Sequence, residues 1–104
     1  MEKRIEIRLS RPCVDDPSRY IAECNIGKRV DIEKLCEALR GADAKELKCS
    51  IKLGVARFEL DERSVMIYQS GRVDIRRIKT TQEAQGVLMR ILILAKGAII
   101  DISS

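Results

Sequence analysis

The stretch KCSIKLGVARFELDERSVMIYQSGRVDIR, residues 48–76, decides the fold because it contains four strand patterns in succession. In each pattern apolar residues alternate with polar ones, the period of two that is typical of a half-buried strand. The predicted strands are 48–53, 56–60, 64–69 and 72–76. Gly54, the Asp61-Glu62-Arg63 segment and the Ser70-Gly71 pair are suited to the turns between them. The stretch therefore predicts a meander of consecutive antiparallel strands.

Strand and helix patterns also flank the meander. Alternation over Ile5–Leu9 and Tyr20–Ile26 predicts two earlier strands, separated by a proline-containing loop. Asp31 can cap a short helix that ends near Gly41, and Thr80 can cap a long one. The apolar stripes of the two helices are Ile32, Leu35, Cys36 and Leu39, and then Ala84, Val87, Leu88, Ile91, Leu92 and Ala95.

This order of elements predicts the fold class. Residues 1–104 are expected to form a single α+β domain, an antiparallel sheet with a short and a long helix packed on one face. Hydrophobic residues are 45% of the chain and charged residues 35%, which is enough apolar surface to support a core.

The ends of the chain and its longest apolar run bear on localisation. The first residues lack a secretory signal, and Ile91–Ala95 is too short to span a bilayer, so we expect a cytoplasmic protein with no membrane partner. In that compartment the four cysteines should be mostly reduced thiols. The net charge of +4 favours anionic partners only mildly, because 16 acidic residues are mixed with 20 basic ones.

From Tyr20 onwards the element order resembles one repeat of the TATA-box-binding protein family. The resemblance is carried by Val30–Leu35, Met66–Val73 and Thr80–Ala84. It implies a TATA-binding-protein-like curved sheet whose open face binds a ligand. In that family two repeats form a saddle and phenylalanines open DNA base steps. Here one repeat is present, and Tyr68 stands where one such phenylalanine would be.

A second resemblance involves the loop after the first strand. Arg11–Pro17 is similar to the start of a small domain that precedes four-cysteine iron–sulfur modules in some archaeal and anaerobic bacterial proteins. It implies an alternative function as an accessory protein of anaerobic iron–sulfur or redox metabolism, in which the Cys13 loop matters. Cys13 is accordingly a possible redox or ligand residue, and the alternative interpretation is an ordinary loop cysteine.

The sequence shows no catalytic constellation. The chain has no histidine, no phosphate loop and no C-x-x-C pair, so the usual zinc, nucleophilic and phosphoryl-transfer sites lack their parts. Cys24, Cys36 and Cys49 lie on apolar stripes and are predicted to be small core residues. Asp15 and Asp16 are interpreted as turn formers. We therefore predict a protein that is not an enzyme and that needs no cofactor or metal.

Basic residues recur at the outward positions of the predicted strands. Their cations could hold a phosphate backbone while Tyr68 stacks on a base. The candidate nucleic-acid-binding residues are Lys48, Lys52, Arg57, Tyr68, Arg72 and Arg76. An acidic protein is the other partner that this face would suit. The alternative interpretation is a solvated face with cross-strand ion pairs and no ligand.

The last helix carries apolar residues off its main stripe. Met89, Ile93 and Leu94 lie away from the predicted core side, and more isoleucines follow at 99, 100 and 102. A possible explanation is a homodimer through the C-terminal helix. The alternative is a C-terminal strand that packs back on its own domain.

Overall fold

A computed structural model gives the fold and describes residues 7–10, 20–42, 44–60 and 62–100. The strands are β1 (Ile7–Ser10), β2 (Tyr20–Asn25), β3 (Arg29–Val30), β4 (Lys45–Ser50), β5 (Val55–Leu60), β6 (Arg63–Tyr68), β7 (Arg72–Ile78) and β8 (Ile99–Ile100). The helices are α1 (Ile32–Gly41), α2 (Thr81–Leu94) and a 3-10 helix at Lys96–Ala98. The predicted α+β class, with its antiparallel sheet and helices on one face, is confirmed.

The main sheet has six strands in the order β1-β2-β7-β6-β5-β4, and all its neighbours are antiparallel. The last four strands follow one another in sequence, so the predicted meander is confirmed. It docks against β2 through β7, which places β4 at one edge of the described sheet and β1 at the other. Two irregularities break the ladder, between Tyr20 and Ala22 in β2 and between Lys45 and Lys48 in β4.

Both helices cover the same side of this sheet and form one core with it. Phe58 is the largest of the fully buried side chains, and Leu35 and Leu39 of α1 are buried over it and its neighbours. From α2 the inward residues are Ala84, Val87, Leu88 and Ile91. The predicted apolar stripes of both helices therefore face the core, with Leu92 only partly buried and Ala95 just beyond the helix.

The predicted caps start both helices. The Lys34 amide donates to the Asp31 carboxylate over 3.2 Å, and the Glu83 amide donates to the Thr80 hydroxyl over 3.1 Å. Each bond satisfies an amide that has no partner within the first turn. The carboxylate of Glu83 accepts a bond from Nε of Arg63 over 2.8 Å, which ties the start of α2 to β6.

A two-stranded sheet of β3 and β8 joins the chain after α2 to the chain before α1. Ile99 pairs with Val30, and the Asp31 amide donates to the Ala98 carbonyl over 2.7 Å. The segment after α2 therefore packs back on its own domain up to Ile100, as the alternative to self-association predicts. Strands of two residues are too short to show a periodic pattern, so neither β3 nor β8 was predictable from alternation.

The turn before β7 depends on a glycine. Gly71 has a φ of +96°, and a Cβ there would collide with the carbonyl oxygen of Lys28. Its own carbonyl accepts the Ile26 amide over 2.8 Å, so the turn and the segment after β2 pack backbone to backbone. This close approach holds the ends of β2, β6 and β7 together.

Candidate functional site on the open sheet face

The side of the main sheet opposite the helices is the candidate site, here called the open face. Register pairs place one row of side chains across all six strands of it. In order from β1 to β4 the row is Arg8, Glu23, Asp74, Met66, Arg57 and Lys48. Among the described residues no helix packs on this side. The two acids of the row are adjacent, and so are two of its cations, so the open face has charge of opposite sign on its two halves.

Arg72 belongs to the acidic half and is bound there. Its Nε donates to Asp74 over 3.1 Å, and its guanidinium lies 3.6 Å from the Glu23 carboxylate. The hydrogen bond to Asp74 and the negative charge of the same carboxylate raise the pKa of Arg72. Arg72 is therefore ion-paired, as the alternative interpretation of the basic face predicts. A phosphate that bound Arg72 would have to displace one of these carboxylates.

Lys48 and Arg57 show the opposite situation on the other half of the face. They are direct cross-strand partners on β4 and β5, and both are exposed. Within the part of the chain that the structure describes, neither forms an ion pair with a carboxylate. Lys52 lies in the turn that follows β4 and is also exposed. We call Lys48, Lys52 and Arg57 the basic edge.

Two like charges directly opposite each other on a sheet destabilise it. Opposed side chains have Cβ atoms only about 4.5–5.5 Å apart. The nearest acidic position along β5, Glu59, is paired in register with Lys45 instead. The basic edge is therefore a site of uncompensated positive charge that an anion would stabilise.

Apolar side chains lie beside the basic edge on the same face. Met66 is the cross-strand partner of Arg57, and Tyr68 is the partner of Val55. The Tyr68 hydroxyl lies 3.9 Å from the Met66 sulfur, and the Arg72 guanidinium is 5.7 Å from the centre of the Tyr68 ring. The side chains of Val55, Met66 and Tyr68 are half-buried. We call Val55, Met66 and Tyr68 the apolar patch, which places the tyrosine on the open face where the sequence could not assign it.

Arg76 lies away from this group. It is exposed on β7, four residues beyond Arg72, a separation of about 13 Å along a strand. A bulge follows, because Ala22 pairs with Ile75 and Tyr20 with Ile78, and Arg77 takes a φ of 64°. The structure therefore brings Lys48, Arg57 and Tyr68 together, with Lys52 in the adjoining turn, but leaves Arg76 in a different row.

The end of β4 corrects the sequence prediction. Alternation extended this strand to Leu53, but the strand ends at Ser50 and residues 51–54 form a turn. The Leu53 amide donates to the Ser50 hydroxyl over 3.2 Å, a local bond that competes with the sheet ladder. Ile51 and Leu53, which alternation assigned to a strand face, are 64% and 78% exposed. The serine before and the glycine after this segment were the available signals of a turn.

The cysteines are also corrected in part. Cys24 and Cys36 are buried in the core as predicted, but Cys36 is joined to the half-buried Cys49 by a disulfide. α1 packs over the edge strand β4, which brings their Cα atoms to 6.4 Å, within the range that a disulfide bridges. The expectation of reduced thiols therefore does not hold for this pair. Cys24 is a free thiol, and burial raises its pKa to about 11, so it stays protonated at neutral pH.

Other polar groups of the described residues include a charged cleft. Within residues 7–10, 20–42, 44–60 and 62–100, no three potential metal ligands cluster. A cleft of about 490 Å³ near the start of α2 is lined by three acids and three bases: Glu59, Glu62, Glu83, Arg63, Arg77 and Lys79. The hydrogen bond from Arg63 lowers the pKa of Glu83. These charges balance each other, unlike those of the basic edge.

Cys13, Asp15 and Asp16 lie outside the described residues, so the iron–sulfur or redox alternative stays a prediction. No helix in the described part of the chain is long and apolar enough to cross a membrane.

No protein-family model and no curated protein sequence matches this chain. The function is therefore proposed from the geometry of the open face.

Proposed function

We propose that this chain is a non-catalytic binding module for nucleic acid. The phosphate backbone binds the basic edge, and a base stacks against Tyr68 in the apolar patch. The observation that carries the proposal is the cross-strand pair of Lys48 and Arg57, which has no carboxylate partner among the described residues. Bound phosphates would offset the repulsion between the two cations, and they gain affinity from counterion release.

The ion-paired half of the face has a supporting role in this proposal. Arg72 is fixed by Asp74 and lies over one face of the Tyr68 ring. A cation in that position limits the rotamers of the tyrosine and leaves the rest of the ring for a base. Of the predicted binding residues, we therefore assign Lys48, Lys52 and Arg57 to the backbone and Tyr68 to a base. Arg72 acts as a positioning residue, and we assign no contact to Arg76.

An acidic protein would use the same cations. The apolar patch favours nucleic acid, because unpaired bases supply flat rings next to phosphates.

Salt dependence tests the proposal. Binding of labelled single-stranded and duplex DNA and RNA is measured over a salt series with the wild type and with a Lys48→Ala, Arg57→Ala double variant. Each lost phosphate contact should make the negative slope of log K against log salt less steep by about 0.7 for single strands. The control is a Lys34→Ala, Arg40→Ala double variant, which removes equal charge from exposed positions of α1. Absence of saturable binding at low salt, or an equal loss in the control, would contradict the proposal.

We also propose that two copies associate through α2. Met89 and Ile93 lie one helical turn apart and are 61% and 72% exposed, and Gly86 precedes them with open space above it. Of the exposed residues of α2 only Arg90 is charged, so two copies of this surface can meet without repulsion between many charges. Sedimentation equilibrium over a concentration series tests this: a Met89→Ser, Ile93→Ser double variant should stay monomeric where the wild type dimerises.

We propose the resemblance to a TATA-box-binding repeat for the fold alone. It is supported by the order strand, helix, four strands, helix from Tyr20 to Leu94, leaving aside the two-residue β3. A determined structure that superimposes on such a repeat over both helices and these strands would establish it.

A further inference from the structure

The turn between β4 and β5 carries two of the three most exposed large apolar side chains of the described residues. Ile51 is 64% exposed and Leu53 is 78% exposed, and Lys52 lies between them. We call residues 51–54 the tip. Covering aliphatic side chains with this exposure would remove apolar surface from water, which is favourable.

The tip has a defined backbone conformation. The Gly54 amide donates to the Ile51 carbonyl over 3.2 Å, and the Gln69 amide donates to the Gly54 carbonyl over 2.8 Å. Gly54 has a φ of +69°, and a Cβ at this position would collide with the Gln69 side chain. These bonds connect the tip to the turn after β6 and hold the backbone that carries the two aliphatic side chains.

The tip continues the apolar patch. Ser50 pairs with Val55, and Val55 pairs with Tyr68, so the last row of the open face runs from the base of the tip to the tyrosine. The row that contains Lys48 and Arg57 is next to it. A ligand on the basic edge therefore meets an apolar surface on one side, made first by Val55 and Tyr68 and then by the tip.

We infer that the ligand of the open face is single-stranded nucleic acid whose unpaired bases cover Ile51 and Leu53. The inference rests on the proposed function and specifies its ligand class. A single strand presents phosphates and the apolar faces of its bases together, which matches cations bordered by apolar side chains. A duplex hides its base faces inside the stack, so it would satisfy Lys48 and Arg57 while the tip stayed in water.

An anionic lipid surface is the other ligand that an apolar tip beside lysines would suit. The position of the apolar patch favours nucleic acid. The apolar patch continues from the tip across the open face, with Met66 one row further along beside Arg57, so a flat membrane surface that received the tip would not cover all of it. Vesicles are therefore one arm of the test.

The test compares two double variants that remove similar amounts of exposed apolar surface. Ile51→Ser with Leu53→Ser alters the tip, and Met89→Ser with Ile93→Ser alters α2 on the opposite side of the sheet. The probes are a labelled single strand of about ten nucleotides, near the length one binding surface covers, and a duplex of the same length. The third probe is vesicles containing phosphatidylserine. A probe this short reports on one open face even if the protein dimerises through α2.

We expect the tip variant to lose about tenfold or more in single-strand affinity, with an unchanged salt slope and unchanged duplex affinity. The α2 variant should bind as the wild type does. Because the altered side chains are exposed, unfolding midpoints in urea should confirm that both variants fold. A Leu53→Trp variant should bind the single strand several-fold more tightly, because an indole stacks on bases better than an isobutyl group.

The possible failures can be told apart. If no nucleic acid binds at all, the proposed function fails and the inference with it. If nucleic acid binds through Lys48 and Arg57 but duplex and single strand bind equally and the tip variant is unchanged, the function stands and this inference is overturned. Vesicle binding that the tip variant abolishes, with single-strand affinity unchanged, would assign the tip to a lipid surface instead.

Discussion

Reversing the charge of Arg57 should make the protein more stable and weaken nucleic-acid binding at the same time. In the structure this side chain lies directly opposite Lys48, with no carboxylate partner in the described part of the chain. Arg57→Glu converts a repulsive pair into an attractive one. Charge reversals at exposed sites otherwise change stability by less than about 0.5 kcal/mol in either direction, so an increase would be specific to this pairing.

The magnitude follows from the pair geometry. A favourable cross-strand charge pair contributes roughly 0.2–1 kcal/mol, and a like-charged pair costs a similar amount. Because both side chains are exposed, the combined change should be about 0.5–1.5 kcal/mol. For a domain near this size, 1 kcal/mol corresponds to a shift in Tm of about 4–8 °C.

A double-mutant cycle in urea unfolding isolates the pair. Lys48→Glu should stabilise in the same way, and the double reversal should lose the gain because two like charges again face each other. Arg57→Gln is the neutral intermediate and should give about half of the effect. Binding of a labelled single strand should decrease in all four variants, and most in the double reversal.

Two results would refute this reasoning. If Arg57→Glu lowers the free energy of unfolding at unchanged m-value, the two cations do not repel each other in the folded protein. If the double reversal binds nucleic acid as tightly as the wild type, the basic edge is not the binding surface.

Three further predictions concern the framework around the site. Glu83→Gln should destabilise the protein near neutral pH but progressively less in acid. The hydrogen bond from Arg63 holds the pKa of Glu83 below its ordinary value of 4.5. The Glu83 carboxylate therefore contributes stability above that pH, and the contribution is lost as the pH falls through the folded-state pKa. An equal loss of stability at all pH values in urea unfolding would contradict this prediction. Replacing Cys36 and Cys49 by serine should lower the free energy of unfolding by about 3 kcal/mol, the loop-closure entropy that a disulfide around a loop of this length removes from the unfolded chain. If the unfolding midpoint of the wild type is the same with and without reductant, the two thiols are not joined. Gly71→Ala should lower the free energy of unfolding by more than about 2 kcal/mol, because Gly71 has a positive φ and a Cβ there would collide with backbone. The control Gly86→Ala, in open space on a helix, should raise the free energy of unfolding by about 0.5–1 kcal/mol. Similar values for the two variants in thermal or urea unfolding would contradict the turn geometry.

Local patterns predicted most of the framework. Phe58 and Ile67 fall on the apolar phase of their strands, and both are fully buried. Asp31 and Thr80 cap their helices because a side-chain oxygen before an apolar stripe satisfies amides of the first turn. These features depend on neighbours a few residues away, so a single sequence contains the information.

The site itself depends on information that local patterns lack. Whether Arg57 faces a carboxylate or Lys48 is decided by the register of β4, which depends on where the turn begins, and alternation placed that turn three residues too late. The exposure of Tyr68 depends on which side of the sheet the helices cover. The disulfide requires a helix and a strand to pack together, which cysteine spacing does not show.

The bond between Cys36 and Cys49 has a consequence for the opposite side of the sheet. β4 is an edge strand of the described sheet with an interrupted ladder, the kind of strand whose pairing shifts most easily. A shift by one residue would turn Cys49 away from α1, and a shift by two would carry it about 6.6 Å along the strand, beyond the reach of its partner. The covalent link on the covered side thus allows one alignment of β4 only, and in that alignment Lys48 faces Arg57. Oxidation of a thiol pair in the core therefore fixes the arrangement of charge on the outer surface.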